Sequence, residues 1–234
     1  MLKEFITDYF TYLDVIALLW FVAIWSGYFL FTSKKRNNKP NLQYYLDFWR
    51  ESWALSLTKR SNRIMDSQVI NALIQKETFF ASTTILILAS TIALMGLRDE
   101  VNSMVVDIPI IQFSTTALWE IKVSILIVIF IYAFFKFSWS IRQHTYSAIL
   151  LGSIPEPDTD EEAARDQALR LARLSSLGAE NFNDGIRAYY FALAELSWFV
   201  NPWVFMLAST WVVGVLYRRE YHSRALKLLS TKQN

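Results

Sequence analysis

Four runs of apolar residues, each long enough to cross a lipid bilayer, constrain this chain more than any other feature. Crossing the hydrocarbon core takes about 20 residues of helix, at a rise of about 1.5 Å per residue. A backbone in lipid must satisfy its own hydrogen bonds, so each run predicts a helix. The runs cover residues 15–32, 79–97, 117–138 and 196–217. The sequence therefore predicts an all-α, polytopic membrane protein, a single membrane domain over residues 1–234 with four transmembrane helices.

Charged residues are scarce and lie mostly between the runs. They make up 19% of the chain, against about 25% in an average soluble domain. The chain has no cysteine and two histidines. This composition excludes disulfides and thiolate metal sites and argues against a histidine-rich metal centre. We therefore expect no bound metal and no cofactor.

The first run differs from a secretory signal peptide. Its start carries Glu4, Asp8 and Asp14 against Lys3, and the basic stretch LFTSKKRNNK follows it. No small-residue cleavage site follows the run. We interpret it as a retained membrane anchor.

The two longer connections between the runs predict amphipathic helices, over about residues 41–78 and 158–190. In NLQYYLDFWRESWALSL, aromatic and aliphatic residues recur at steps of three and four. Such a face suits the membrane interface or packing on another cytoplasmic helix. In DEEAARDQALRLARLSSL, acids precede arginines, the order that favours a helix macrodipole. This helix is either a solvated face or a docking surface for a partner, and Gly185 predicts a bend after it.

The lysines and arginines predict the orientation of the chain. Membrane proteins carry an excess of these residues in their cytoplasmic connections. Fifteen lie in or beside the two longer connections, and eight lie on the opposite side, five of them in the C-terminal tail. Both long connections are therefore expected in the cytoplasm and both termini outside. A bend at Asn201-Pro202 in place of a crossing would return the basic tail to the inside.

The third run holds two lysines on one helix face. Lys122 and Lys136 are two heptads apart, with Gln143 one heptad further. They are separated by about 20 Å of helix, against a hydrocarbon core of about 30 Å. Both lysines can therefore reach opposite membrane surfaces by snorkelling. Alternatively, they face the bundle interior and pair with acids.

The paired alternative places charged residues in two layers. At the cytoplasmic depth Lys136 would meet Glu195, with Glu77 near the same level, and the outer layer would surround Lys122. An unpaired charge in lipid costs several kcal/mol, so such layers would form a pore vestibule or a structural clamp. The candidate pore-lining or ion-pair residues are Asp14, Glu77, Glu120, Lys122, Lys136 and Glu195, and the candidate helix break is Asn201 with Pro202.

The second run carries small residues at helical spacing. Ser82, Ala89 and Gly96 recur every seven residues, and Ala93 follows Ala89 by four. Small residues let helix backbones approach closely in lipid. This face is therefore typical of helix packing.

Several stretches resemble a family catalogued as domain of unknown function 599. They are RSNRIMD, KETFFASTTILI, EIKVSILIVIFIYAFFKFSWSIRQHTYSAILLG, NFNDGIRAYYFALAELSWFVNPWVFMLAST and VLYRREYHSRAL. The similarity runs from about Asp14 to Leu226 and is carried most specifically by FFAST and by AFFKFSWSIRQ. The resemblance implies a four-span protein of the bacterial inner membrane. It implies no reaction and no catalytic residues.

Two hypotheses for the function remain open. The first is a channel- or transporter-like protein, which with so few spans requires a homo-oligomer. The second is a non-catalytic scaffold or accessory subunit of a larger membrane assembly. No phosphate loop, nucleophile–base set or redox motif is present, so we expect no enzyme activity. The basic stretch KKRNNK is explained by topology and anionic lipid headgroups, so lipids and membrane subunits, but not nucleic acid, are the expected partners.

Overall fold

The computed structural model describes residues 12–35, 41–105 and 115–230, and all regular structure within them is helical. Two three-residue 3₁₀ turns, Met95–Leu97 and Ser197–Phe199, interrupt the order of α-helices. The helices are α1 Tyr12–Lys35, α2 Leu42–Leu57, α3 Ile64–Leu94, α4 Arg98–Val105, α5 Thr116–Ser153, α6 Glu161–Leu196, α7 Pro202–Tyr221 and α8 Arg224–Ser230. The predicted all-α fold is confirmed for these residues.

Three helical segments of the described chain are long and apolar enough to cross a membrane. They are Tyr12–Thr32, Ile64–Val101 and Thr116–Ser153. These segments contain the first three predicted runs and are consistent with a membrane protein. The fourth predicted run, 196–217, falls on the end of α6, the 3₁₀ turn and α7, and it is not among the three.

Helix α6 is longer than the sequence predicted. It is one helix of 36 residues that covers most of the second connection and reaches the start of the fourth run. The bend expected at Gly185 is wrong, because this glycine lies within the helix. A Cβ atom built on Gly185 would lie 2.5 Å from Cε1 of Phe137, a fully buried ring. The glycine therefore serves a close approach between α5 and α6.

By their internal contacts the residues divide into two compact units. The first unit comprises Met1–Asn38, Thr84–Tyr132 and Arg187–Arg218. The second unit comprises Lys39–Thr83, Ala133–Ile186 and Arg219–Asn234. Helices α3, α5 and α6 each contribute residues to both.

Aromatic rings form the core of the first unit. Phe21 of α1 lies 5.9 Å from Phe191 of α6 and 5.0 Å from Phe205 of α7, measured between ring centroids. Trp25 stacks on Phe191 at 4.9 Å. Because the three helices share these rings, the end of α6 and the start of α7 both pack on α1.

An aliphatic core and an arginine clamp hold the second unit together. The buried cluster includes Leu57 of α2, Ile70 of α3 and Leu171 of α6. Arg63 donates two hydrogen bonds of 2.6 Å, to the carbonyls of Ile154 and Pro155, and a third to the carbonyl of Leu57. The Leu57 carbonyl belongs to the last turn of α2, and the carbonyls of Ile154 and Pro155 directly follow the end of α5. Helices leave acceptors unsatisfied at such ends.

The amphipathic helix α2 is anchored at one end and open along its aromatic side. Asn41 caps its first turn by accepting from the backbone N–H of Tyr44, and Ala54 is buried near its other end. Tyr44 and Phe48 remain exposed. The tail helix α8 packs on α2, so the basic tail lies beside the connection from which the sequence analysis separated it.

Candidate functional site

The chain reverses direction between α6 and α7. After the 3₁₀ turn Ser197–Phe199, the side chain of Asn201 accepts a hydrogen bond of 2.8 Å from the backbone N–H of Trp203. Asn201 is therefore the N-cap of α7, and Pro202 occupies the first helical position, where its missing N–H is harmless. The predicted helix break at Asn201 and Pro202 coincides with this junction.

Contacts along α1 fix the direction of the α6 arm. The Arg187 guanidinium lies 6.0 Å from the centroid of the Tyr28 ring. Eleven residues later, Trp198 Nε1 donates to Asp14 Oδ1 at 2.8 Å. As α6 advances, its contacts therefore move towards the start of α1, so the two helices are antiparallel here.

Contacts of the α7 arm run the other way. Phe205 meets Phe21, and Tyr217 lies 6.0 Å from the Phe31 ring. Helix α7 is thus parallel to α1, and the residues 197–201 form the tip of a helical hairpin whose arms both follow α1. Asp14 marks the level of this tip.

Lys122 of α5 reaches the hairpin tip. It is 2% exposed, and its Nζ donates to the carbonyl oxygen of Trp198 at 2.9 Å. The ammonium lies 5.3 Å from the centroid of the Trp198 ring and 5.8 Å from that of Phe199, within cation–π range. A cation at the end of α6 also complements the negative end of the helix dipole.

Two buried carboxylates accompany this lysine. Asp14 is 3% exposed and Glu195 is fully buried. The charges of both act on Lys122. Asp14 accepts the hydrogen bond from Trp198, whereas neither carboxylate oxygen of Glu195 has a hydrogen-bond partner among the described residues. We call Asp14, Lys122 and Glu195 the Lys122 cluster.

The second unit holds a different cluster around Lys136. Its Nζ donates to Asp184 Oδ2 at 2.8 Å and to Asn181 Oδ1 at 3.1 Å. The amide of Asn181 in turn donates to Gln143 Oε1 at 2.8 Å. We call these four residues the Lys136 cluster. Lys136 therefore pairs with Asp184, a residue that the sequence analysis did not select.

A second polar pair is buried in the second unit. His144 Nδ1 lies 2.9 Å from Glu77 Oε1, and each side chain is 1% exposed. Gly178 lets the ring fit, because a Cβ there would lie 2.5 Å from His144 Cε1. Ser140 donates to the carbonyl of the same glycine at 2.7 Å. The pair thus sits at a close crossing of α5 and α6.

The remaining sequence-predicted residues can now be located. Glu120 is exposed and lies outside the Lys122 cluster. Glu195 was expected at the depth of Lys136, but its charge interaction is with Lys122. The reason is the longer α6, which carries Glu195 to the level of Asp14 before the chain reverses. Both lysines have partners on other segments: Lys122 donates to the Trp198 carbonyl, and Lys136, 27% exposed, pairs with Asp184.

Sequence reasoning missed Trp198, Asn181 and Asp184. Each contacts a lysine at least 45 residues away in the chain. The stretch NFNDG did carry a signal, because its polar residues stand just before an apolar segment. The sequence placed it in the predicted cytoplasmic helix 158–190, outside the membrane, so no partner for Lys136 was sought there.

The second unit also carries two surface cavities. One, of about 510 Å³, lies between Ile149 of α5 and Leu174 of α6 and is flanked by Arg173. The other, of about 610 Å³, is lined by acidic residues that include Glu156 and Asp160. Neither cavity is lined by a residue of the Lys122 or Lys136 cluster.

Comparison with known proteins identifies a family without assigning a function. The family model for proteins of unknown function, DUF599, matches residues 16–225. No curated protein and no solved structure matches the chain. Because the match covers most of the sequence, the chain belongs to this family, as its motifs predicted.

Proposed function

We propose that this member of the family is a channel- or transporter-like protein of the bacterial inner membrane, with the Lys122 cluster as its ion or solute site. One observation carries the proposal: three ionisable side chains are buried together at the point where two helices of an apolar unit meet and reverse. Ionisable groups within membrane segments are costly and typically mark ion or substrate pathways. Interrupted helices in transporters form such sites.

We propose a topology in which α1, α3 and α5 cross the membrane and the α6–α7 hairpin enters and leaves it beside them. The predicted fourth span then corresponds to α7, and the end of α6 forms an additional arm. The support is length. From Asp14 to Phe31, the part of α1 that α7 follows, a helix rises about 25 Å, close to the thickness of the hydrocarbon core, about 30 Å.

The same topology places more of the lysines and arginines on one side of the membrane than the predicted four-span topology does. The packing of α8 on α2 supports a tail on the same side as the first long connection. Its five basic residues then join the fifteen of the two connections, so twenty of the 23 lysines and arginines share one side. The opposite side keeps Lys3, Arg98 and Lys122. By the positive-inside rule, we place the C-terminus in the cytoplasm and the N-terminus outside.

The proposed role is non-enzymatic. The Glu77–His144 pair combines an acid with a base, but each side chain is 1% exposed, so a substrate does not reach it. A pathway for ions would require several copies of this chain around a common axis, since few helices surround the Lys122 cluster. We therefore propose a homo-oligomer in contact with membrane lipids.

Reconstituted protein tests this function directly. We expect ion flux across liposomes that contain the wild-type protein, and at least a tenfold lower flux for Lys122→Met, because the substitution removes the cation from the hairpin tip. Glu120→Gln is the matched control, since Glu120 is only two residues away but exposed, and its flux should equal that of the wild type. Wild-type liposomes without flux for several ions at several potentials would overturn the proposal, as would normal flux through Lys122→Met.

A second candidate is an accessory subunit of a larger membrane assembly. The observation that favours it is the small-residue face of α3 and of the 3₁₀ turn that follows it, where Ala89, Ala93 and Gly96 are all exposed. A Cβ on Gly96 would meet no atom within 4 Å. Such a face accepts a closely packed helix. The mass of the protein in mild detergent separates the two roles: a defined homo-oligomer supports the channel, and co-purifying polypeptides in fixed ratio support the accessory subunit.

A further inference from the structure

We propose that the Lys122 cluster binds one proton, that the proton resides on the Glu195 carboxyl group, and that it is the coupling ion of the protein. Its role as the coupling ion rests on the proposed transport function. Its presence does not, because it follows from the charges, burial and hydrogen bonds of the cluster alone.

The first step is a count of charge. Asp14 and Glu195 would carry two negative charges, and Lys122 carries one positive charge. All three side chains are at most 3% exposed, and an uncompensated charge in such surroundings costs several kcal/mol. The charge of Lys122 acts on Glu195. The charges of these three side chains sum to minus one, so the three become neutral together when one further positive charge binds.

The hydrogen bonds decide which acid takes it. Trp198 Nε1 donates to Asp14 at 2.8 Å, a bond that stabilises an ionised carboxylate. Glu195 accepts no hydrogen bond from the described residues and is fully buried. A neutral carboxylic acid is much less costly than a carboxylate in such a setting. The proton therefore belongs on Glu195, while Asp14 and Lys122 stay charged.

The geometry favours a proton over a metal cation. A sodium ion at an interrupted helix is held by carbonyl oxygens at the helix end. Here the carbonyl of Trp198 already accepts from Lys122 Nζ at 2.9 Å. The lysine thus occupies the place where a metal ion would coordinate, which leaves the carboxyl oxygen of Glu195 to be neutralised by an O–H bond.

Loss of the proton from Glu195 changes the electrostatic attraction on the Lys122 ammonium. With Glu195 protonated, the Lys122 ammonium is balanced by Asp14 and by the Trp198 carbonyl. When the O–H bond breaks and the proton leaves to solvent, two carboxylates attract the same ammonium. Because Lys122 also holds the end of α6, the protonation of Glu195 is linked to the hydrogen bond at the hairpin tip.

Infrared spectroscopy of the purified protein tests the proton independently of transport. We expect a carbonyl stretching band of a protonated carboxylic acid at pH 7, retained in Glu120→Gln and lost in Glu195→Gln. Labelling the wild-type protein with ¹³C-glutamate should shift the band, which assigns it to a glutamate even if Glu195→Gln fails to fold. Absence of the band from the wild type, its persistence in folded Glu195→Gln, or its loss only in Asp14→Asn would overturn the proposal.

Infrared spectra recorded with added sodium chloride and the flux measurement complete the test. The band should be insensitive to added sodium chloride, and its loss on addition of sodium would identify a metal cation in place of the proton. A band without flux would leave the proton site standing and remove the transport function. Flux without a band would support the transport function and remove the proton site. With both present, flux that responds to a pH gradient in the wild type but not in Glu195→Gln identifies the proton as the coupling ion, and a wild-type flux indifferent to that gradient rejects it.

Discussion

Each unit contains a lysine that contacts polar groups of other helices, but the two lysines differ in their burial and in the hydrogen bonding of their partners. Lys136 is 27% exposed, and each polar partner around it is itself hydrogen-bonded. Lys122 is almost fully buried, and one of its two acids, Glu195, makes no hydrogen bond among the described residues. A satisfied hydrogen-bond network specifies packing, whereas a buried polar group without a hydrogen bond costs free energy. The comparison therefore fits a structural role for the Lys136 cluster and the proposed binding role for the Lys122 cluster.

The largest effect is expected for Lys122→Met. Removing one partner of a buried ion pair typically destabilises a protein by about 3–5 kcal/mol, and here it leaves Asp14 without its counter-charge. The free energy of unfolding, measured in mixed detergent micelles by circular dichroism, checks this. If Glu195 is protonated, adding Asp14→Asn should recover part of the loss and adding Glu195→Gln should not. The opposite pattern would exchange the roles of the two acids.

Gly178→Ala comes next and tests the close crossing in the second unit. The added methyl group would meet the buried His144 ring at 2.5 Å, and overpacking of this kind costs about 1–3 kcal/mol. Gly152→Ala is the matched control, because nothing lies within 4 Å of its Cβ position and alanine favours a helix over glycine. We expect the first variant to melt at a lower temperature than the wild type and the second to melt at the same or a higher one.

A smaller loss, of about 1–2 kcal/mol, is expected for Lys136→Met, between the values typical of exposed and buried pairs. Its partial exposure lets water solvate Asp184 when the lysine is gone. Measured beside Lys122→Met under identical conditions, it sharpens the comparison between the units. Equal losses for the two lysines would mean that the clusters do not differ as proposed.

The smallest effect is expected for Asn201→Ala. Loss of an N-cap side chain typically costs about 1 kcal/mol, and Pro202 still fixes the start of α7. Thermal melts monitored by circular dichroism report this change. A loss as large as that of Lys122→Met would show that the turn itself, and not the charged cluster, holds the hairpin tip.

The limits of the sequence are clearest in α6. Long apolar runs predict α1, α3 and α5, because a helix surrounded by lipid needs about 20 consecutive apolar residues. The end of α6 packs against other helices and includes polar residues such as Glu195, so it forms no long apolar run. The stretch YYFALAEL therefore resembles the start of a membrane span more than the end of a helix. The sequence thus identified Glu195 and Lys122 as candidates but expected Glu195 at the depth of Lys136. The reversal at 197–201, set by contacts with α1, brings Glu195 to the level of Asp14, where the charge of Lys122 acts on it.

The hydrogen bond from Lys122 to the Trp198 carbonyl also bears on how the chain is made. The end of α6 carries a buried acid and an open backbone acceptor, and neither is tolerated by lipid alone. Lys122 donates to this carbonyl and Asp14 accepts from the Trp198 indole N–H. Both residues belong to earlier parts of the chain and have already been synthesised when the ribosome reaches α6. We expect the α6–α7 hairpin to insert into the membrane only after α1 and α5, so that the helices assemble in the order in which they are synthesised.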